Sequence, residues 1–366
     1  MSDRSNKRES GFSLLEMVIA MALGTIVLGA AVQLYSQGVA ATFTVSQRAE
    51  MQQDFRAASN MLTRDLSMAG AGLGNDVSIA LPSATVPVYG CEQNGKCHLG
   101  PANNAPATYP KQGATPYLYG LLPGMNAGPT VYGPQGPTDV VTVVYTDSSF
   151  YLNCYNAKVT AKTIVTFTLP SPLTCVLPSG VSVPQSVNDT VVGLTPGDLV
   201  WLTLNGTPVV VEVTAISSNV VTFANSDQLK MNQTTGTGLN TAALNATGTA
   251  PMRLLVITYY IDNSVSPPLL MRQISGHTPM PVAENVVYMK FSYDLYDSGS
   301  NTARVDQSDG GASYGLNPSQ ITKINIKHMA MSSSLKGAQG GFQGLDLETS
   351  VSARDLTYSN GYPLGP

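Results

Sequence analysis

Residues 11–16 read GFSLLE and are followed at residues 17–32 by the uncharged run MVIAMALGTIVLGAAV. The stretch from Phe12 to Tyr35 is apolar, and its polar exceptions are Ser13, Glu16, Thr25 and Gln33. As a helix these residues would span about 36 Å, against roughly 30 Å for the hydrocarbon core of a bilayer. The segment is therefore long enough to cross a membrane.

The residues before this segment decide its orientation. Residues 1–11 are polar and contain Arg4, Lys7 and Arg8. Basic residues that precede a membrane helix stay on the cytoplasmic side, so we expect the rest of the chain to face outward.

Two ordinary alternatives fit this segment less well. The apolar region of a secretory signal peptide is shorter and does not normally open with a glutamate. A plain single-pass anchor explains the length but not Glu16, whose charge would cost about 2.5–3.5 kcal/mol at mid-bilayer and less near the edge. A lone carboxylate in this position needs a partner.

The combination of glycine, aromatic residue, glutamate and apolar helix closely resembles the cleavage and methylation signal of type IV prepilins. The resemblance implies that residues 1–11 are a leader, which a membrane prepilin peptidase removes by cutting after Gly11. It also implies N-methylation of the new terminus at Phe12. Glu16 would then serve assembly, by neutralising the Phe12 ammonium of its own or a neighbouring subunit.

The helix is expected to continue outside the membrane as an amphipathic segment over residues 36–70. Apolar residues recur there at helical spacing among charged ones, and no proline occurs before Pro82. The apolar positions are Met51, Phe55, Ala58, Leu62, Leu66 and Ala69. Gly70, Gly72 and Gly74 should end the helix.

The remainder, residues 71–366, is expected to be one β-rich domain with long loops over 75–137. Short β-branched runs predict strands from Asp139 onward, and Asn205-Gly206 predicts a hairpin between Leu199 and Val213. Further strands are expected at Arg253–Ile261, Val286–Tyr296, Ile321–Met331 and Thr349–Tyr358. The sequence thus predicts an α+β pilin-like fold.

The second half of the sequence contains, in this order, the motifs GDLVWL, RLLVITYYID, PPLLMRQI, PVAENVVYMKFSYD, ITKINIKHMAMS and SVSARDLTYS. Their order resembles that of PilW-like minor pilins. The resemblance implies a non-enzymatic minor pilin, anchored in the bacterial inner membrane and then built into a pilus. Its partners would be the prepilin peptidase, other minor and major pilins, the inner-membrane assembly platform and a tip adhesin.

Two other functions remain open at this point. A type II secretion or DNA-uptake pseudopilin carries the same N-terminal signal. A membrane-anchored envelope hydrolase is the less favoured alternative, since it would need a compact pocket that places His277 or His328 beside a serine and an aspartate. No catalytic residue is therefore assigned.

Charge and cysteine content bear on the partners of the protein and on its disulfides. Only 11% of residues are charged and the net charge is −4, so no broad basic surface is available for nucleic acid. The cysteines are Cys91, Cys97, Cys154 and Cys175, and an even number outside the cytoplasm predicts two disulfides. Pairing of near neighbours, Cys91 with Cys97 and Cys154 with Cys175, is the simplest to close.

Metal sites are weak candidates. His98 lies beside Cys97, but the spacing to Cys91 does not suit zinc. Four carboxylates in a Gly/Ser-rich stretch, Asp294, Asp297, Asp306 and Asp309, could wrap calcium, although an ordinary polar loop is favoured because the EF-hand spacing is missing. No cofactor is expected.

Overall fold

A computed structural model describes residues 13–74, 78–82, 90–99, 109–204, 207–232, 247–333, 336 and 341–359. These residues fall into two compact units. The first takes its residues from Met1–Gln52 and Ser333–Gln343, and the second from Gln53–Ser332 and Gly344–Pro366. Gly11 and Phe12, the two residues of the expected cleavage site, lie outside the described residues.

Helix α1 extends from Leu14 to Ser67, so the long helix expected from the sequence is present. Its C-terminal part buries the predicted apolar face: Ala58, Leu62, Leu66 and the following Ala69 have no exposed surface. The three glycines after it all adopt positive φ, at 81°, 76° and 80° for Gly70, Gly72 and Gly74. They end the helix because left-handed backbone costs a glycine nothing in side-chain clashes.

The rest of the described chain is mainly antiparallel strand. The first nine strands are β1 (Ser78–Ala80), β2 (Lys111–Gln112), β3 (Thr115–Tyr119), β4 (Leu121–Gly124), β5 (Val140–Thr146), β6 (Asn156–Ala161), β7 (Ile164–Thr168), β8 (Leu199–Leu204) and β9 (Thr207–Glu212). The others are β10 (Ala215–Ser217), β11 (Val220–Thr222), β12 (Thr247–Asp262), β13 (Leu269–Ile274), β14 (Met280–Glu284), β15 (Val286–Asp297), β16 (Thr302–Gln307), β17 (Ile321–Ser332) and β18 (Gly344–Ser352). Helix α2 (Arg354–Ser359) follows β18.

The strands form three sheets within the described residues. A small sheet has the order β1-β3-β2, and a four-stranded sheet has the order β16-β15-β17-β18. The largest sheet is organised around β12, which pairs antiparallel with β5, β6, β8 and β13. A core of buried Val, Leu and Phe side chains, including Val159, Phe167 and Val211, lies among β6 to β9 and β11.

The hairpin predicted around Asn205-Gly206 is confirmed in its strands. β8 and β9 pair from Leu199↔Glu212 to Leu204↔Thr207, while the two turn residues lie outside the described part of the chain. The strands predicted at Arg253–Ile261, Val286–Tyr296 and Ile321–Met331 are also present, as parts of β12, β15 and β17.

The strand predicted at Thr349–Tyr358 is wrong in its second half, because the chain leaves the sheet after Ser352 and forms α2. Ala353, Leu356 and Thr357 are all buried. In a strand Leu356 and Thr357 would point to opposite faces, whereas the spacing 353, 356 and 357 places all three on one face of a helix. Thr357 fixes this turn through its hydroxyl, whose single hydrogen is shared between the Ala353 and Thr322 carbonyl oxygens, 2.8 and 3.1 Å from Oγ1.

Candidate functional site

Ser13 caps the N-terminus of α1. Its hydroxyl oxygen accepts a hydrogen bond from the Glu16 backbone N–H at 3.2 Å, and its carbonyl oxygen accepts from the Met17 N–H at 3.2 Å. This arrangement satisfies one of the N–H groups that every helix start leaves unpaired. Serine followed three residues later by glutamate is the sequence signature of a helix start, so the cap was visible in the sequence, although we did not predict it.

The cap places Glu16 in the first turn of α1, five residues after Gly11 of the expected cleavage position. The N-terminal end of a helix carries partial positive charge, so a carboxylate is favourable there. Glu16 is exposed in the isolated chain. Its side chain is therefore available to a charged group that approaches the start of the helix.

The first half of α1 exposes apolar side chains on all sides. Leu14, Leu34 and Tyr35 are 84%, 74% and 76% exposed. Among the described residues, and apart from the helix's own nearby backbone, no atom would lie within 4 Å of a Cβ added at Gly24, Gly29 or Gly38. A single chain thus leaves this segment without the burial that apolar surface requires, and a membrane or neighbouring subunits must supply it.

Hydroxyl groups along the same segment are satisfied inside the helix. Thr25 donates to the Ala22 carbonyl oxygen at 2.8 Å, and Thr42 donates to the Gly38 carbonyl oxygen at 2.9 Å. Ser36 does the same to Gln33 at 2.9 Å. Such bonds let hydroxyl groups enter an apolar environment at little cost.

Helix α1 meets the length and composition expected of a membrane span. Within this helix, a stretch of 18 residues has a mean hydropathy of 2.2, and none of that stretch is buried within the protein. Together with the basic residues before it, this fits membrane anchoring.

The last turn of α1 is tied to the large sheet by a buried charge cluster centred on Asp65. The Arg272 Nε of β13 donates to Asp65 Oδ2 at 2.8 Å, and the Tyr259 hydroxyl of β12 donates to the same oxygen at 2.7 Å. The Tyr145 hydroxyl of β5 donates to Oδ1 at 3.2 Å. Three neighbouring strands therefore hold one helical carboxylate.

This cluster also shifts proton affinities. Burial and the Asp65 charge both raise the pKa of Tyr145 and Tyr259, so both hydroxyls stay protonated donors. Burial alone would lower the pKa of Arg272, but the hydrogen bond and charge of Asp65 raise it above the ordinary value. Only one feature of the sequence indicated this cluster, namely a carboxylate beside Leu66 on the buried face of the helix.

The disulfides join Cys91 to Cys97 and Cys154 to Cys175, the near-neighbour pairing expected from the sequence. With both sulfurs bonded, Cys91 and Cys97 offer no thiolate to a zinc ion. His98 instead binds Glu92, with its Nε2 2.6 Å from Oε1.

Of the four aspartates weighed as calcium ligands, only Asp294 and Asp306 are shown in contact with each other within the described residues. Asp294 and Asp306 are neighbours, since the Asp306 N–H donates to Asp294 Oδ1 at 2.9 Å, and each pairs with a lysine. Asp297 instead accepts from the Gly299 N–H at 3.0 Å, and Asp309 accepts from the Gly311 N–H at 2.9 Å. In the described part of the chain no three His, Cys, Asp or Glu residues form a metal-binding group.

The two histidines considered for a hydrolase lie in separate places, each beside an aspartate. His277 Nε2 is 2.9 Å from Asp198 Oδ1, and His328 Nδ1 is 3.0 Å from Asp346 Oδ2. Ser275, the nearest serine to His277 in the sequence, is buried and bonded to the backbone of β12. The Ser275 hydroxyl is thus hydrogen-bonded to the β12 backbone.

Comparison with known families finds a match at the N-terminus. Residues 6–32 match the model of the prokaryotic N-terminal methylation motif. This is the motif of type IV pilin and pseudopilin precursors, a class that is generally structural rather than enzymatic, and it implies processing by a prepilin peptidase and assembly with other pilins. No curated protein and no solved structure matches the chain.

Proposed function

We propose that this chain is a minor pilin that enters a type IV pilus, or the complex that initiates it, through helix α1. The observation that carries the proposal is the methylation motif at residues 6–32, joined to a helix whose apolar first half is exposed on all sides. In this proposal the peptidase cuts after Gly11 and the new terminus at Phe12 is methylated. The β-rich unit remains outside the cytoplasm.

Glu16 steers insertion into the filament. Cleavage creates an ammonium at Phe12, four residues before Glu16 and therefore one helical turn away. Before assembly, water and lipid headgroups near the membrane edge can satisfy both groups. Inside a filament the same helix ends are enclosed by apolar neighbours, where a carboxylate and an ammonium attract each other much more strongly.

The Asp65 cluster attaches the last turn of α1 to the large β-sheet. Its ion pair and two tyrosine hydroxyls fix the last helical turn to β5, β12 and β13. When neighbouring subunits bind α1, the large sheet therefore stays attached to the last turn of the bound helix. That sheet and the four-stranded sheet are the surfaces offered to other minor pilins or to a tip adhesin, and the inner-membrane platform acts on the helix.

The decisive experiment replaces Glu16 with Gln, which keeps the shape of the side chain and removes its charge. We expect Glu16→Gln to be cleaved and to remain in the membrane, but to fall at least tenfold in sheared filaments. A tenfold loss corresponds to about 1.4 kcal/mol, well within the strength of an enclosed ion pair. Filament content is read by immunoblotting against the membrane fraction.

Glu50→Gln is the matched control, because Glu50 is an exposed carboxylate on the same helix. It should enter filaments like the wild type. Wild-type levels of Glu16→Gln in filaments would contradict the proposal. Normal pili with a specific secretion or DNA-uptake defect in the deletion strain would assign the subunit to a pseudopilus instead.

A further inference from the structure

Two acidic residues, Glu212 and Asp227, are buried side by side at the end of β9. Glu212 ends β9 and is 0% exposed, and Asp227 lies in the loop of residues 224–232 and is 3% exposed. Neither oxygen of the Glu212 carboxyl accepts a hydrogen bond of ordinary geometry from a donor among the described residues. Two ionised carboxylates in such a place would repel each other and lack hydration.

The loop of residues 224–232 is fastened to the end of β9 by Asn232. The Asn232 side chain accepts from the Glu212 backbone N–H at 2.9 Å and donates to the Glu212 carbonyl oxygen at 2.8 Å. Leu229 and Met231 of the loop are fully buried. The acidic pair thus lies where the loop joins the sheet.

We infer that Glu212 and Asp227 share one proton, and that this proton fastens the loop of residues 224–232 to β9. Glu212 carries the proton and donates it to Asp227, whose oxygens accept from the Met231 and Asn232 backbone N–H groups at 2.6 and 3.3 Å. The carboxyl group that lacks an ordinary donor is then satisfied as a donor itself.

The donors around the pair favour a proton over a metal ion. Backbone N–H groups of Met231 and Asn232 point at Asp227, and that of Leu229 lies beside Glu212. N–H groups stabilise negative charge and repel a cation. A pair that holds one proton carries a single negative charge, which these three donors suit.

Other charged groups nearby are engaged elsewhere or act weakly. Lys230, on the same loop, favours the charged form of Asp227. Lys96 and Glu92 belong to the adjacent disulfide loop, and Glu92 binds His98 and Thr278. Asp198, which precedes β8, pairs with His277. The charge balance of the pair therefore rests on Glu212, Asp227 and Lys230.

The proton makes loop closure depend on pH. Burial, followed by repulsion from Asp227, raises the pKa of Glu212 from 4.5 to about 8, and burial raises the pKa of Asp227 as well. An open loop would return both groups to water and to ordinary pKa values. The closed form therefore holds a proton that the open form releases between about pH 4.5 and pH 8, so closure weakens up to tenfold per pH unit across that interval and levels off above it.

Hydrogen exchange on the full-length protein in detergent micelles tests this directly. We expect the protection factor of residues 224–232, corrected for the intrinsic exchange rate, to fall at least tenfold between about pH 5 and pH 8.5, while β15 and β17 stay protected. Glu212→Gln should remove the pH dependence, because its amide stays neutral throughout. Glu284→Gln is the control, since Glu284 is an exposed carboxylate at a strand end and should behave as wild type.

Three results would overturn the inference. The first is wild-type protection that does not change with pH, which needs no variant to be measured. The second is an unchanged pH dependence in Glu212→Gln. The third is a rise in wild-type protection on adding millimolar calcium near pH 8.5 that Glu212→Gln abolishes, since this would make the pair a cation site.

Discussion

At the last turn of α1, the Asp65 carboxylate has exchanged water for the Arg272 guanidinium and two tyrosine hydroxyls. Removing its charge leaves Arg272 buried without a counter-charge, which is far more costly than the net value of the pair. We expect Asp65→Asn to lower the free energy of unfolding by about 3 kcal/mol, towards the lower end for a broken buried pair because Arg272 keeps some contact with water. Urea unfolding followed by tryptophan fluorescence measures this.

The neighbouring Arg64 provides the control for that substitution. Arg64 is exposed on the same helical turn. Arg64→Gln should change stability by less than about 0.5 kcal/mol, as is usual for surface substitutions. Equal effects of the two variants would show that the cluster contributes nothing beyond a surface charge.

Glu92 links the disulfide loop to Thr278. Burial raises the pKa of its carboxyl, but hydrogen bonds from His98 and Thr278 outweigh burial and bring the pKa below 4.5. A carboxyl with a lowered pKa stabilises the fold fully above its unfolded value, and this stability is lost as the pH falls through the folded value. Glu92→Gln should therefore be less stable than wild type by about 1–2 kcal/mol at pH 7, and the difference should shrink below about pH 4.5.

Paired urea midpoints of wild type and Glu92→Gln at neutral and acidic pH check this. Glu284→Gln again serves as the exposed control. A gap between Glu92→Gln and wild type that stays constant down to about pH 3 would mean that the variant acts through packing rather than charge.

Such residue contacts were beyond prediction because their members are far apart in the chain. Asp65 and Arg272 are separated by 207 positions, and Glu92 and Thr278 by 186. Their pairing depends on which strands become neighbours, and local patterns carry no information on that. By contrast, GFSLLE and its apolar helix are contiguous, so the segment from which assembly is proposed could be recognised from sequence alone.

At the scale of elements, the turn after α1 is the point where close packing demands glycine. Gly72 has φ 76°, and a Cβ there would lie 1.9 Å from Thr146 Oγ1, whereas Gly74 has φ 80° and open space around it. Both alanine substitutions place a side chain on left-handed backbone, which costs about 1–2 kcal/mol. Gly72→Ala also overpacks against β5, so we expect it to cost about 1–3 kcal/mol more than Gly74→Ala.

Urea unfolding of the two variants separates strain from packing, since they share the backbone conformation and differ in the clash. The Gly74→Ala value serves as the internal control. If the two variants were equally stable, the close approach of Gly72 to Thr146 would not exist in solution.

Elements were predictable where one local rule acted alone. The helical spacing of apolar residues and the position of the glycines predicted α1, and Asn205-Gly206 between β-branched runs predicted the β8–β9 hairpin. α2 was missed because its sequence satisfies the strand pattern equally well. What decides there is tertiary: burial of both Leu356 and Thr357, which only a helical turn allows.

At the scale of the whole molecule, the chain combines β-sheets whose apolar side chains are buried within the chain with a helix whose apolar side chains are largely exposed. Residues of β5, β8 and β9 such as Val143, Val200 and Val211 are fully buried, while Leu28 and Val27 of α1 are 69% and 67% exposed. We therefore expect the sheets to fold without assembly. Assembly, in the proposed function, depends on the helix leaving lipid for neighbouring helices.

That separation predicts the outcome of blocking leader removal. Gly11→Leu places a bulky side chain where the peptidase must accommodate the residue before the cut. The uncut chain then keeps Arg4, Lys7 and Arg8 attached to the start of α1 and lacks the ammonium at Phe12. We expect a precursor that stays in the membrane with both disulfides formed, because the β-rich unit folds independently of the leader. We also expect its absence from filaments, because drawing three cations into an apolar helix bundle costs several kcal/mol per unpaired charge.

Immunoblots of precursor size, filament content and non-reducing mobility measure the three outcomes, with Ser10→Ala as the adjacent control that should be cut normally. Mature-sized protein from Gly11→Leu would refute cleavage at this position, and uncut protein in filaments would show that the basic leader does not bar the helix from assembly.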